Sequence, residues 1–361
     1  MFGHTLSIVA VGDLVPSRPL FPGGQPGSAG FSETVDLIQH ADLAIGDLEM
    51  PLSDRGVPRE KLITFRTSPA SASDLRRIGF DVLSLANNHS LDYGYEAMLD
   101  TVQALKDQQI RCIGAGKDLP EAIEPVIVEV KRLRVGFIAF SSLLPTGAAA
   151  SAERAGLAPI HVRIAYEVNP YSEMEEPGVP PVVRTWTDEA DRRLAEECIR
   201  RLRSQVDFLV VSIRWGYGSG EELAEYQQPL GRALIDAGAD VIFGNHVHAI
   251  HGIEVYNGKA ILYSPGNFIA QQPREGASEI ALAIYGEMSP DGYAAWLDVA
   301  PTRTYSVRIV PTSINRDGFP EIARGGVLRR IAERLQRLSA KLGTDIQVHG
   351  DEIYVPMPAQ R

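Results

Sequence analysis

Two histidines that stand two residues apart are the side chains that most directly suggest metal chemistry in this chain. They follow a β-branched run in the segment 241–251, V-I-F-G-N-H-V-H-A-I-H, which is predicted to form a buried strand. If the backbone stays extended, His246 and His248 share one face and point at one spot beyond the carboxyl end of the strand. Neutral imidazoles at this spacing suit Zn, Fe, Mn or Ni when carboxylates join them, and a hydrogen-bonded turn is the alternative explanation.

Side chains that could complete such a site follow three earlier apolar segments. Strands are predicted at 6–11, 42–48 and 81–86, and in open α/β sheets ligands bind beyond the carboxyl ends of the strands. One polar residue in such a place is more often structural than catalytic, but six or seven after successive strands predict one site for one or two divalent ions. The residues are Asp13, Asp47, Glu49, Asn88, His89, His246 and His248.

The elements that must position these residues alternate between strands and helices in the first half of the chain and are mostly strands later. Helices are predicted at 31–40, 68–79, 95–108, 188–204, 222–237 and 321–342. Further strands are predicted at 111–114, 126–130, 134–140, 207–213, 252–256, 259–263, 279–286, 294–299 and 305–312. This order predicts an α/β sandwich in which the loops at strand ends form one site.

The domain organisation is predicted to be one core with additions. Residues 1–315 form the main domain, and 316–361 form a C-terminal helical appendage packed on it. The segment 141–187 breaks the periodic pattern and is rich in proline and acidic residues, so it is either a surface insertion or a lid over the site.

The bulk composition bounds the class of protein. The chain has 361 residues, is 44% hydrophobic and carries a formal net charge of -11, which argues against nucleic acid as its main partner. Cys112 and Cys198 lie in no metal-ligand spacing and are expected to be buried thiols, with a disulfide left open. No apolar run reaches the roughly 20 residues that span a bilayer, and the first residues lack a signal-peptide pattern. These features predict a cytoplasmic protein without a membrane anchor; its oligomeric state is left open.

Seven motifs occur in the order found in the CapA family, which is named for bacterial capsule and poly-γ-glutamate synthesis proteins. They are G-D-L-V-P-S-R, G-D-L-E-M-P-L, L-A-N-N-H-S-L-D-Y-G, R-W-G, A-L-I-D-A-G-A-D, G-N-H-V-H and Y-S-P-G-N-F. The chain resembles this family over residues 5–270. Because the family is related to calcineurin-like metallophosphoesterases, the resemblance implies a four-layer fold with two β-sheets between helices and a metal site at the strand ends.

The resemblance also implies a role for each motif residue. The implied metal ligands are Asp13, Asp47, Glu49, Asn88, His246 and His248, for one or two ions of Mn, Zn, Fe or Ca. His89 would be a general acid oriented by Asp92. The residues expected to line the substrate site are Arg18, Trp215, Gln227 and Asn267.

The chain departs from the family pattern at two positions. Arg214 stands where the family usually has the histidine of H-W-G, a ligand of the second metal in related phosphoesterases. An arginine cannot ligate a cation, so a mononuclear centre or a weak second site is expected, and the guanidinium could instead clamp an anionic group of the substrate. The second departure, Val247 for the usual proline, with an extra histidine at His251, is expected to matter less.

The function predicted from these residues is that of a metal-dependent hydrolase. It would act on an amide or γ-glutamyl bond of a small peptide-like, carboxylate-bearing substrate, because loss of a second-metal ligand harms the two-metal phosphoryl clamp most. A metal-dependent peptide epimerase and a phosphoesterase use similar parts. A non-catalytic subunit of poly-γ-glutamate capsule synthesis is the alternative from a different class.

Overall fold

The computed structural model describes residues 5–217, 220–302 and 304–357. Its strands are β1 Leu6–Val15, β2 Leu43–Leu48, β3 Val82–Ser84, β4 Arg111–Ile113, β5 Ala115–Gly116, β6 Val126–Val130, β7 Leu133–Ser141, β8 Gly156–Leu157, β9 Val162–Glu167, β10 Val182–Thr187, β11 Phe208–Arg214, β12 Val241–Asn245, β13 Ile253–Tyr256, β14 Lys259–Leu262, β15 Asn267–Ala270, β16 Asp291–Val299, β17 Tyr305–Ile314, β18 Pro320–Ile322, β19 Gln347–His349 and β20 Glu352–Val355. Its helices are α1 Ala29–Gln39, α2 Ser71–Ile78, α3 Gly94–Asp107, α4 Leu119–Ala122, α5 Pro170–Met174, α6 Glu189–Arg203, α7 Gln227–Asp236, α8 Glu279–Glu287 and α9 Gly325–Ala340.

Two large sheets form the centre of the molecule. The ten-stranded sheet has the order β19-β20-β17-β16-β1-β2-β3-β4, with β15 paired to β1 and β18 paired to β17. The six-stranded sheet has the order β13-β14-β12-β11-β7-β6. β1 to β4 run parallel in the first sheet, and β7, β11, β12 and β14 run parallel in the second. Both sheets therefore present a row of carboxyl ends where loops can build a site.

The core lies between the facing sheets and on their outer sides. Ile8 and Ile45 of the first sheet and Phe137 and Val210 of the second belong to one buried cluster between the sheets. Val9 points to the other face, as strand alternation requires, and packs in the cluster that includes residues of α1, α2, α3 and α8. Residues of α6 and α7 cover the outer face of the six-stranded sheet. The layers are thus helix, sheet, sheet and helix, which confirms the predicted α/β sandwich.

The predicted strand at 279–286 is wrong, because this segment forms the helix α8. Ser278 caps its first turn by accepting a hydrogen bond from the Ala281 backbone N–H at 3.2 Å. Ala281 and Tyr285 are the buried side chains of α8, and they are four residues apart. That spacing puts both side chains on one helical face. A strand is predicted from the sequence because the alternation of apolar and polar residues in so short a segment is also typical of a strand.

The segments predicted as an insertion and an appendage carry regular structure of their own. Within 141–187, β9 and β10 pair antiparallel in a separate two-stranded sheet. Arg184 of β10 forms an ion pair with Glu225 at 2.7 Å, so the hairpin contacts the loop ahead of α7. Beyond residue 315, α9 follows β18, and β19 and β20 extend the ten-stranded sheet. Among the described residues, no helix is both long and apolar enough to cross a membrane.

Candidate metal centre

Residues from both large sheets meet where β1, β2, β11 and β12 end. Asp13 lies near the end of β1, Asp47 is in β2 with Glu49 just after it, and Arg214 is the last residue of β11. A register shift in the pairing of β1 with β2 falls between Ala10 and Asp13. Two backbone segments pack so closely here that a Cβ on the glycine at position 12 would lie 1.8 Å from the carbonyl oxygen of residue 266. The ends of these strands therefore bring Asp13, Asp47, Glu49 and Arg214 together.

Glu49, His246 and His248 have ligand atoms that lie within 4.8 Å of one another. Glu49 is fully buried, and the two histidines are half-buried. The backbone does not stay extended at the histidines, because β12 ends at Asn245 and both histidines have positive φ, 113° at His246 and 50° at His248. Such conformations are strained in residues with a Cβ and cluster at functional sites. The turn, not strand alternation, directs both imidazoles toward Glu49.

The free atoms of this trio fit a divalent cation. Glu49 Oε2 and His246 Nδ1 are buried and have no hydrogen-bond partner among the described residues, an arrangement that costs free energy unless another group satisfies them. His248 Nδ1 lies 2.8 Å from Asn267 Oδ1 and 3.3 Å from Asp13 Oδ2, so its second nitrogen, Nε2, faces Glu49 Oε1 at 3.7 Å. One carboxylate and two imidazoles are the donor set of many catalytic zinc sites.

Arg214 occupies the middle of the remaining oxygen ligands. Its side chain has no exposed surface. Its Nη1 lies 2.8 Å from Asp13 Oδ1 and 3.1 Å from Asp47 Oδ2, its Nε donates to Asn88 Oδ1 at 2.9 Å, and its Nη2 contacts Glu49. All three guanidinium nitrogens are therefore bound within the protein. Arg214 therefore has no exposed group with which to clamp a substrate, although the sequence suggests such a clamp. Four of the six predicted metal ligands contact its guanidinium instead.

The charges of this cluster are set by burial and by Arg214. Burial raises the pKa of Asp13, but the Arg214 charge and the hydrogen bond with His248 outweigh it, so the pKa lies below its ordinary value. Burial raises the pKa of Asp47 to about 7, although Arg214 opposes the increase. Burial and the Arg214 charge hold the pKa of His246 well below its usual range. His246 is therefore neutral near pH 7, the form that binds metals.

His89 belongs to a chain of polar contacts at the edge of the trio. Its Nδ1 lies 2.6 Å from Asp92 Oδ2, and its Nε2 lies 3.8 Å from Glu49 Oε1. Asp92 also accepts a hydrogen bond from the Phe65 backbone N–H at 2.7 Å and forms an ion pair with Lys61. Because Asp92 serves as the acceptor for these donors, it accepts the Nδ1 proton of His89 and leaves Nε2 free toward the centre. Lys61 lies in an irregular segment without a motif, so the sequence gives no signal for it.

The four residues expected to line the substrate site lie in different surroundings. Asn267 contacts His248, and Arg18 is exposed beside a cavity next to it. Trp215 is fully buried, and its Nε1 donates to the carbonyl oxygen of Tyr263 at 2.9 Å. Gln227 is also fully buried at the start of α7. The structure thus places Asn267 against His248 and Arg18 at the neighbouring cavity, and it leaves the Trp215 ring in the core.

Comparison with known proteins identifies the family. The sequence profile described as "Bacterial capsule synthesis protein PGA_cap" matches residues 7–272. The chain belongs to the PGA_cap family. Among PGA_cap relatives, it is 30% identical over 285 residues to the "PGA biosynthesis protein CapA" of Bacillus subtilis (strain 168), covering 78% of this chain and 67% of the relative.

Other PGA_cap relatives carry names from the same field. The "Capsule biosynthesis protein CapA" of Bacillus anthracis is 27% identical, with 75% of this chain and 60% of the relative covered. A "Probable polyglutamine synthesis accessory protein" of Mycobacterium tuberculosis is 26% identical, with 88% of this chain and 78% of the relative covered. A hypothetical protein from Thermus thermophilus has a similar structure, with a TM-score of 0.49, 15% identity, and coverage of 85% of this chain and 99% of that chain.

Proposed function

We propose that the protein is a metal-dependent hydrolase that cleaves an amide or γ-glutamyl bond of an anionic, peptide-like substrate. The observation that carries this proposal is the trio of Glu49, His246 and His248, whose ligand atoms converge and include buried atoms without partners. The names of the capsule and PGA biosynthesis relatives support a γ-glutamyl substrate.

The trio would hold one ion. Two imidazoles and one carboxylate favour Zn, Fe or Mn over Ca, which prefers oxygen ligands. The ion would supply polarisation of the scissile carbonyl and a lowered pKa of a bound water. Asp13 and Asn267 would fix the orientation of the His248 ring through its Nδ1, as outer partners of a metal-bound histidine commonly do.

Arg214 supports an amide over a phosphoester. Its guanidinium lies among Asp13, Asp47 and Asn88, where a second cation would otherwise find oxygen ligands. A phosphoryl-transfer site with two metals clamps both the attacking and the leaving oxygen. An arginine fixed among these ligands occupies the place of the second metal ion. It neutralises the carboxylates but cannot coordinate an attacking or leaving oxygen as a metal ion would.

His89 would move the proton. With its Nδ1 proton held by Asp92, His89 Nε2 accepts a proton from the attacking water and then donates it to the leaving amine. Its ring lies against Phe65, with centroids 4.5 Å apart, which limits rotation of the imidazole. His89 would therefore serve first as the base and then as the general acid predicted from the resemblance.

The experiment that tests the proposal incubates metal-loaded protein with γ-linked and α-linked glutamate peptides and with a phosphomonoester. We expect release of new amino groups from the γ-linked peptide and no release of phosphate. Exchange of an α-proton in deuterated water without amine release would favour an epimerase instead. A non-catalytic role, suggested by the accessory-protein name of one relative, would be favoured if the fully loaded protein processed none of these compounds.

Replacing Lys61 by methionine is expected to lower kcat/KM about 10- to 100-fold and leave the metal content unchanged. Burial lowers the pKa of His89, and the Lys61 charge lowers it further. Removing that charge raises the pKa, so the acidic limb of the pH profile of kcat/KM should move to higher pH.

The control for Lys61 is Arg55→Met, which removes an exposed ion pair with Asp100 away from the site. This variant should keep the wild-type pH profile. An acidic limb that stays in place in Lys61→Met would show that Lys61 has no positioning role for His89.

A further inference from the structure

A cavity of about 700 Å³ opens beside the proposed metal centre. Asn267 and Ser289 line it, and both also contact His248. Asn267 Oδ1 lies 2.8 Å from His248 Nδ1, and the Ser289 backbone N–H donates to the His248 carbonyl oxygen at 3.3 Å. The cavity therefore adjoins the trio through Asn267 and Ser289, which lie between it and His248.

Four exposed arginines surround this cavity: Arg18, Arg66, Arg274 and Arg316. Within the described part of the chain, none of the four forms an ion pair with a carboxylate. Arg18 donates to a backbone carbonyl at 2.6 Å, and the Arg66 guanidinium lies 4.1 Å from the centroid of the Tyr93 ring. Glu275 is the one acidic residue among the described residues that line the cavity. In a chain with 46 acidic and 35 basic residues, four arginines without ion-pair partners against one carboxylate leave this region positive.

The cavity wall also offers hydrogen-bonding groups that suit a peptide. Gln271 is buried, and its Oε1 accepts a hydrogen bond from the Arg18 backbone N–H at 3.0 Å. Its Nε2 has no partner among the described residues, so it remains available to a carbonyl or carboxylate oxygen. Asn267 and Asn315 add further amides, and Tyr285 and Ile314 add apolar surface for the aliphatic part of a side chain.

We propose that this cavity is the subsite for the anionic part of the substrate and that it takes a peptide carrying two or more carboxylates. This inference rests on the proposed hydrolase function. The exposed arginines of the cavity would bind the negative charges of the substrate. Arg214 cannot do so, because its guanidinium is enclosed by its own carboxylate and amide partners. Guanidinium groups can bind carboxylates with two parallel hydrogen bonds, and the amides and apolar groups favour a peptide over an inorganic phosphate chain.

The test is isothermal titration calorimetry with triglutamate and with triglutamine, which has nearly the same shape but lacks the side-chain carboxylates. We expect triglutamate to bind the wild type at least about tenfold more tightly than triglutamine. The double variant Arg274→Gln/Arg316→Gln should lose about tenfold or more in triglutamate affinity, a loss of at least about 1.4 kcal/mol. The control, Arg201→Gln/Arg329→Gln, removes the same charge from exposed arginines outside the cavity and should bind as the wild type does.

Equal affinity of the cavity variant and the control would overturn the inference. Binding of tripolyphosphate without binding of triglutamate would overturn the assignment to a peptide. The same titration with His246→Ala separates the subsite from the reaction, because the arginines do not depend on the ion. If the metal-loaded wild type binds triglutamate but does not hydrolyse it, the subsite is supported and the hydrolase function is rejected. If the cavity variant hydrolyses the peptide with an unchanged KM, the hydrolase function is supported and the subsite is rejected.

Discussion

Arg214→Met is expected to lower the free energy of unfolding by about 3–5 kcal/mol when metal is absent. The substitution removes the buried cation that contacts Asp13, Asp47 and Glu49 and leaves their carboxylates without compensation. Chemical unfolding followed by circular dichroism in the presence of a chelator measures this loss. The control Arg203→Met breaks an ion pair with Asp240 in which the arginine side chain is 23% exposed, and it should cost less.

Arg214→His should also change the metal content. The smaller side chain vacates the space among the carboxylates and supplies an imidazole, so a second equivalent of metal should bind. Elemental analysis of this variant and of the wild type measures the difference.

A loss of stability below about 1 kcal/mol in Arg214→Met, the range of an exposed ion pair, would count against a central role for the guanidinium.

His246→Ala is expected to reduce amide hydrolysis by about 1000-fold or more, equivalent to about 4 kcal/mol of transition-state stabilisation. The substitution removes one of the two imidazoles of the trio, and we expect the proposed metal site to be lost with it. The assay is the release of new amino groups from the γ-linked peptide.

The matched control is His251→Ala, in the same segment of sequence. His251 is also buried, but its Nε2 lies 2.8 Å from the carbonyl oxygen of residue 220 and it takes no part in the trio. Its loss should leave metal content and turnover per folded molecule near the wild-type values. Equal activity in His246→Ala and the wild type would separate the trio from the reaction.

The placement of the site follows from the sequence because its signals are local. Apolar runs that end in polar side chains put Asp13, Glu49 and His248 at the carboxyl ends of strands, and parallel pairing gathers those ends. The strands predicted at 252–256 and 259–263 are confirmed for the same reason. They pair antiparallel as a hairpin, and Asn257 and Gly258 between them both adopt the positive φ that such a turn requires.

The contacts inside the site depend on long-range packing, which periodicity does not contain. Arg214 meets Asp13 across 201 residues of sequence and Glu49 across 165, so its enclosure requires the two sheets to be in place. Lys61 reaches Asp92 from an irregular segment, where neither motif nor period marks it. The strained backbone of His246 could not be predicted from the sequence either, because its positive φ is stabilised only by the surrounding folded structure.

The enclosure of Arg214 changes how the departure from the family motif is understood. A missing histidine alone suggests a weakened second metal site. The structure shows a cation fixed by the chain among the carboxylates, with an always-charged guanidinium that needs no supply of metal. The expected result is a centre that binds one ion and keeps its remaining carboxylates neutralised whether or not that ion is present.

The metal content of the purified protein tests this account most directly. Elemental analysis after incubation with Zn, Mn and Fe should give one equivalent per chain in the wild type and in His251→Ala, and none in His246→Ala. Two equivalents in the wild type would contradict the assignment of Arg214 as the replacement for a second ion. No metal under any of these conditions would contradict the metal centre itself.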